Sequence, residues 1–188
     1  MFSLIRARKS EATPPMGVDL TTLHADHAPF VWRSLQRLGV RDVDLEDTLQ
    51  EVFIVVHRRL DSFDGSSKPT TWLFGICLRI AAAYHRRAHR RHEDPVEDMD
   101  REQDGAAASP EEQATRREAV TRLQHALDAM PLDKRAVFVM FEIDGMNCQE
   151  IASVLDVPVG TVYSRLHAAR SEFQRSLRRE DLKSREAC

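Results

Sequence analysis

The sequence predicts an all-α protein of two small helical domains joined by a flexible acidic linker, the second domain being a helix-turn-helix. Three observations carry this expectation. Alanine, leucine, arginine and glutamate are abundant while only 7 of 188 residues are Gly and 6% are aromatic, so helix is favoured throughout. Apolar residues recur three and four positions apart, the spacing of one helix face. Charge is also segregated. Residues 65–92 hold six Lys or Arg and no acid, whereas residues 93–112 hold nine acids and one Arg. The acidic stretch, which includes GAAASP, cannot bury enough apolar surface to order itself. It divides the chain into a tail (1–17), an N-terminal domain (18–92), a linker (93–112), a C-terminal domain (113–180) and a second tail (181–188). A chain of this length has room for two small domains.

The first residues carry Arg6, Arg8 and Lys9 and lead into Pro14 and Pro15 rather than an apolar core, so they read as a disordered tail and not as a signal peptide. No stretch approaches a membrane span. Further on, Leu45, Leu49, Val52, Phe53, Val56 and Leu60 form one apolar stripe, which predicts a helix packed along one side. Its other side presents Asp47, Gln50, Glu51, Ile54 and Arg58. An apolar Ile54 ringed by two carboxylates, an amide and a guanidinium resembles the dry centre and polar rim of a partner contact.

A turn-rich segment, residues 61–69, precedes a helix expected to begin near Thr70 or Thr71 and to bury Trp72, Ile76, Ile80 and Ala83. Its end, HRRAHRRH at 85–92, is strongly basic. His85, His89 and His92 fall at metal-ligand spacing, but the four arginines around them repel a cation, and the same residues make a better phosphate rail. Cys77 and Cys148 lie on predicted apolar faces and Cys188 is terminal; three scattered cysteines suit a reduced compartment rather than a disulfide frame or metal knuckle.

In the last third, Asn147 is a good N-cap and Glu150 stands three positions later, where its carboxylate completes a capping box. Cys148, Ile151, Ala152 and Leu155 then share a face. Val157 and Pro158 break the chain before a second helix carrying Val162, Leu166, Ala169, Phe173 and Leu177. That seam turns Thr161, Ser164, His167, Ala168 and Ser171 outward, flanked by Arg165 on one side and Tyr163 and Arg170 on the other. From residue 161 to 185 there are seven Lys or Arg against three acids, in a chain whose net charge is −3. Small polar groups edged by clustered cations suit a helix lying in the major groove of DNA.

Taken in register, the chain resembles RNA polymerase sigma factors of the extracytoplasmic-function group. The match rests on DTLQEVF at 47–53, TWLF at 71–74 with its basic helix, and Met130-Pro131 with residues 150–152 and 160–170. The resemblance implies that Asp47, Gln50, Glu51, Ile54 and Arg58 dock on the polymerase β′ subunit. It further implies that Ser66, Ser67, Lys68, Trp72, Arg79, Arg86, Arg87 and Arg90 meet the minus-ten promoter element. Thr161, Tyr163, Ser164, Arg165, His167 and Arg170 would meet the minus-thirty-five element. Core polymerase (β and β′ subunits), promoter DNA and an anti-sigma factor are the implied partners. The implied place is the cytoplasm, with the anti-sigma factor able to hold the chain at the membrane.

No cofactor, metal or small-molecule substrate is implied, and no catalytic signature stands in the sequence. Asp156 replaces the Gly usual in the helix-helix turn, Pro69 and Thr70 replace an aromatic and a basic residue, Arg79 replaces a frequent Asn, and Ala168 replaces a common Arg. On the residues alone, a stand-alone helix-turn-helix regulator is the rival reading. The linker reads as a spacer or as an acidic decoy for a basic groove.

Overall fold

The computed structural model describes residues 19–91 and 110–186; among them every regular element is helical. In the first half, α1 (Leu20–Arg37) starts where the Asp19 carboxylate accepts from the Thr21 N–H at 3.2 Å. Helix α2 (Leu45–Arg59) buries Leu45, Val52, Phe53 and Val56, the expected stripe, with Leu49 and Leu60 half-buried. Its buried Thr48 is satisfied locally, the hydroxyl donating to the Asp44 carbonyl at 2.6 Å.

Helix α3 (Pro69–Arg91) begins one residue before the expected start, at a proline whose missing N–H costs nothing in a first turn. Its buried face is broader than the periodicity implied. Leu73, Phe74, Ile76, Cys77, Ile80 and Ala81 are buried, while Trp72 and Ala83 are only half-buried. Helices α1, α2 and α6 all touch α3, so more than one stripe of it is enclosed.

In the second half, α4 is Pro110–Asp128, α5 Leu132–Phe138, α6 Cys148–Leu155 and α7 Val159–Glu186. Helix α4 takes in residues 110–112, which had been assigned to the linker. Proline opens it, at a position where the missing N–H costs nothing. The rest of the expected linker and the whole of the N-terminal tail lie outside the described residues. Helix α7 also runs beyond residue 180, through most of the expected C-terminal tail. The Arg122 guanidinium of α4 pairs there with Asp181 and, at 3.7 Å, with Glu180.

Between α5 and α6 one π-helical turn, Val139–Ile143, tucks Val139 and Met140 inside and delivers Asp144, Gly145 and Met146 to the surface of the first half. The two halves touch, α3 against α6 and α1 against α4. Their apolar interiors are continuous: Val31, Leu35, Phe74 and Cys77 belong to the same core as Val137, Met140, Ile151 and Leu166.

Candidate nucleic-acid and partner interfaces

The helix-turn-helix forms as its sequence dictates. Asn147 Oδ1 accepts from the Gln149 and Glu150 N–H groups at 3.0 Å each, and the Glu150 carboxylate accepts from the Asn147 N–H at 2.9 Å, so both halves of the capping box are made. Helix α6 ends at Asp156 in the left-handed conformation (φ 53°, ψ 51°). This sharp reversal sets α7 across α6.

Along the start of α7, Val162, Leu166 and Ala169 are buried, and Tyr163, Ser164, His167 and Arg170 face out, Tyr163 with 55% exposure. Thr161 and Arg165 are half-buried. The cations are not idle. Arg165 lies 3.4 Å from Asp133, and Arg170 donates to Glu142 at 2.6 Å while its guanidinium sits 5.3 Å from the Phe141 ring centroid. Carboxylates from α5 and the π-helical turn thus hold both side chains beside the outward face.

A second basic surface follows α3. Trp72, Arg79, Arg86 and Arg90 recur at intervals of seven and four, which places them in one stripe along the helix. Arg79 and Arg86 are exposed, and Arg90 lies on the last turn. Burial, joined by the like charge of Arg59, pushes the Arg79 guanidinium below its ordinary range. At the head of the stripe, Phe63 is buried against Trp72, ring centroids 5.0 Å apart, which anchors one end of the loop. Beyond Phe63 the Ser66 N–H donates to Asp64 at 2.9 Å, and Gly65 takes a positive φ of 71°. Ser66, Ser67 and Lys68 are exposed on that turn. Trp72 therefore props the loop rather than standing free. His85, from the histidine run, places a ring nitrogen 2.8 Å from the Leu38 carbonyl; His92 lies outside the described residues.

The third surface is the outer side of α2. Asp47, Gln50, Ile54 and Arg58 are exposed, Ile54 by 50%. Glu51 is partly covered because Arg87 of α3 grips both its oxygens at 3.0 Å. The pairing holds the Glu51 carboxyl below its ordinary range and raises Arg87, so one expected docking residue and one expected DNA residue are bound to each other. Sequence reasoning missed Val43, which is 83% exposed in the short turn before α2 and one helical turn ahead of Asp47. The signal was present: an apolar residue between Asp42 and Asp44, off the buried stripe.

Sequence reasoning also missed the residues at the junction of the halves. Arg37 Nη1 lies 3.3 Å from Asp144 Oδ1, and Gln124 Nε2 donates to the Gln36 carbonyl at 2.9 Å. Arg135, only 6% exposed, donates to the Asp128 side chain and to the carbonyls of Asp128 and Met130. A β-carbon on Gly39 would collide with Arg135 Nη1. None of these has a local sequence signature.

Residues 23–91 match Sigma-70 region 2, and residues 121–173 match Sigma-70, region 4. The ECF RNA polymerase sigma-E factor of Escherichia coli (strain K12) is 36% identical over 134 residues, covering 68% of this chain and 70% of the relative. The RNA polymerase sigma factor HrpL of Pseudomonas syringae pv. syringae is 32% identical over 169 residues, covering 87% and 90%.

Among solved structures, the sigma factor RpoE in complex with the anti-sigma factor NepR from Bartonella quintana superposes with a TM-score of 0.69 at 19% identity, over 85% of this chain and 97% of that one. CnrH in complex with the cytosolic domain of CnrY gives 0.60 at 23% identity, over 84% and 86%. The structural matches speak for the fold. The sequence relatives, which the chain spans over most of their length, establish that it belongs to the extracytoplasmic-function group of RNA polymerase sigma factors.

Proposed function

We propose that this sigma factor divides its labour among three faces: α2 docks on the polymerase β′ subunit, the loop and basic stripe of α3 engage the minus-ten element, and the start of α7 reads the minus-thirty-five element. Sigma factors direct transcription initiation and are not a class of enzymes. We read this chain as contributing no chemistry of its own, RNA synthesis belonging to the polymerase. The observation that carries the assignment is the exposed Ile54 on a polar face of α2, on the opposite side from the buried stripe, in a chain with two further faces rich in cations.

Opening a duplex needs no bond chemistry. Displaced bases must be stacked or pocketed and the backbone neutralised, which recovers the few kcal/mol lost on unpairing each flipped base. In this reading Ser66, Ser67 and Lys68 receive a base on the loop that Phe63 and Trp72 anchor. Arg79, Arg86, Arg87 and Arg90 follow the phosphates. At the far element, Ser164, His167 and Tyr163 face the groove, with Arg165 and Arg170 at its edges.

Three finer assignments belong to the same proposal: domain boundaries near residues 18–92 and 113–180, a cytoplasmic location, and an anti-sigma factor as third partner. Among the described residues no helix is long and apolar enough to cross a membrane. Of the structural relatives, RpoE is seen bound to the anti-sigma factor NepR and CnrH to the cytosolic domain of CnrY. The test is transcription in vitro with core polymerase on a library of genomic promoter fragments, comparing wild type with Ile54→Lys. The variant should lose core binding and initiation while keeping its helix content by circular dichroism. Unaltered affinity for core would remove α2 from the docking role.

A further inference from the structure

We infer that Tyr163, with Val159 one helical turn before it, reads the C5-methyl group of a thymine in the minus-thirty-five element, so that an apolar contact sets part of this protein's promoter choice. The inference rests on the minus-thirty-five role proposed above for the start of α7. It adds Val159 to that face and assigns a base to it. Val159 is 37% and Tyr163 55% exposed, and the Tyr163 hydroxyl has no hydrogen-bond partner among the described residues. Both residues lie within the stretch that matches Sigma-70, region 4.

The polar groups around this pair are already engaged. The Ser164 hydroxyl donates to the Thr161 carbonyl at 3.0 Å, and the Ser171 hydroxyl donates to the His167 carbonyl at 3.1 Å. A hydroxyl whose single proton is committed in this way can only accept from a base. Arg170 is turned to Glu142 at 2.6 Å and Arg165 lies 3.4 Å from Asp133. Among the larger side chains of the face, this leaves the His167 ring, the Tyr163 ring and the Val159 methyl groups turned to solvent. A single exposed apolar residue needs no account. Two of them at i and i+4, on the helix that enters the groove, form a contiguous apolar patch where hydrogen-bonding groups would be expected.

The chemistry of the groove selects what such a patch can meet. On the major-groove side guanine, cytosine and adenine present only donors and acceptors, and thymine alone adds an apolar group, its C5-methyl. A recognition helix touches base edges with its N-terminal residues, and Val159 and Tyr163 are the first and fifth residues of α7. Their α-carbons are separated by about 6 Å along the axis, less than two base-pair steps of about 3.4 Å. One patch therefore meets one or two neighbouring pairs. Gly160 stands between them, and a β-carbon added there would meet nothing within 4 Å, so no other part of the described chain shields the approach.

The test uses holoenzyme assembled from the full chain and core polymerase. Its probe is a promoter fragment recovered from the genomic library, resynthesised with deoxyuridine in place of each thymine of the minus-thirty-five element in turn, on either strand. Uracil keeps every hydrogen-bonding group of thymine and lacks only the methyl. Wild type should bind about fourfold less tightly at one or two of these positions, the contribution of one buried carbon, and equally well when flanking thymines are replaced. Tyr163→Ser should bind the thymine and uracil fragments alike. Val159→Thr, which keeps the shape and exchanges a methyl for a hydroxyl, should narrow the difference. Tyr163→Phe should keep it, because the ring makes the contact.

No loss at any thymine of the element overturns the inference, and so does a full methyl response in Tyr163→Ser at unchanged helix content. A response lost in Tyr163→Phe as completely as in Tyr163→Ser also overturns it, since the hydroxyl would then be the group in contact. Scrambling the whole element separates this inference from the reading beneath it. If scrambling leaves holoenzyme affinity unchanged, the minus-thirty-five role of α7 fails and the inference falls with it. If scrambling weakens binding while uracil has no effect, that role stands and only the methyl contact is wrong.

Discussion

At Asp144 burial works against the charge: it pushes the carboxyl above its ordinary range while the Arg37 guanidinium pulls it down, and burial likewise leads in lowering Arg37. A carboxyl raised on folding makes its most favourable contribution below the ordinary carboxylate range and loses it as pH rises through the folded value. At neutral pH the ionised form is therefore kept at a cost, offset in part by Arg37. Asp144→Asn preserves an acceptor for Arg37 without the charge and should change thermal stability little. Asp144→Ala leaves a largely buried guanidinium unpaired and should cost about 1–3 kcal/mol. Equal losses in the two variants would show that Arg37 needs the charge itself. Arg165 poses the opposite question, being half-buried and held 3.4 Å from Asp133 at the edge of the outward face of α7. If it reaches a base edge, Arg165→Ala should weaken holoenzyme binding to the cognate promoter by roughly 1–3 kcal/mol and to random DNA by less. Equal weakening on both would make it a phosphate contact.

Among the elements, the helix-turn-helix was the most legible because its determinants are local. The capping box spans four residues, the turn is punctuated by Pro158, and the buried seam of α7 follows helical spacing without interruption. Helix α3 was less legible, since periodicity finds one buried stripe and cannot show that α6 arrives on another side. The junction was not legible at all. Gly39, Gly75, Gln124, Arg135 and Asp144 acquire meaning only from neighbours as far as 107 positions away, and nothing adjacent in sequence marks them. One local departure has a measurable cost. Asp156 occupies a left-handed turn that Gly adopts without penalty, and a non-Gly residue there is strained, though Asp less than most. Asp156→Gly should raise stability by about 0.5–1 kcal/mol in thermal or denaturant unfolding, without altering DNA binding by the holoenzyme. A loss of stability would mean that the Asp side chain supports the turn in a way that outweighs the strain.

For the whole molecule, two restraints on free DNA binding are available, and they differ in physical range. A restraint by the nine acids of residues 93–112 would act through the long-range field, which added salt screens over a Debye length of about 10 Å at 0.1 M. A restraint by the junction of the two halves would act by contact. Its packing of α6 on α3 and its half-buried ion pair act at short range, so its effect should depend less on ionic strength than that of the acids. In the proposed reading the polymerase would overcome both by fixing the two halves at the spacing of the promoter elements, a gain in effective concentration that needs no new DNA contact. Promoter affinity of the free full-length protein should therefore be weak and should fall steeply as salt rises. Replacing the nine acids by Ser and Gln should raise that affinity at low salt, and the gain should fade towards 0.5 M, where the Debye length is only about 4 Å. Asp144→Lys, which breaks the pair with Arg37 at the junction, should instead give a gain that fades less across the same titration. If the linker variant keeps its advantage at high salt, the acids act by occupying a groove rather than through their field. If the native protein already binds one promoter tightly and specifically without polymerase, neither restraint operates, and the chain recognises DNA as an independent regulator does.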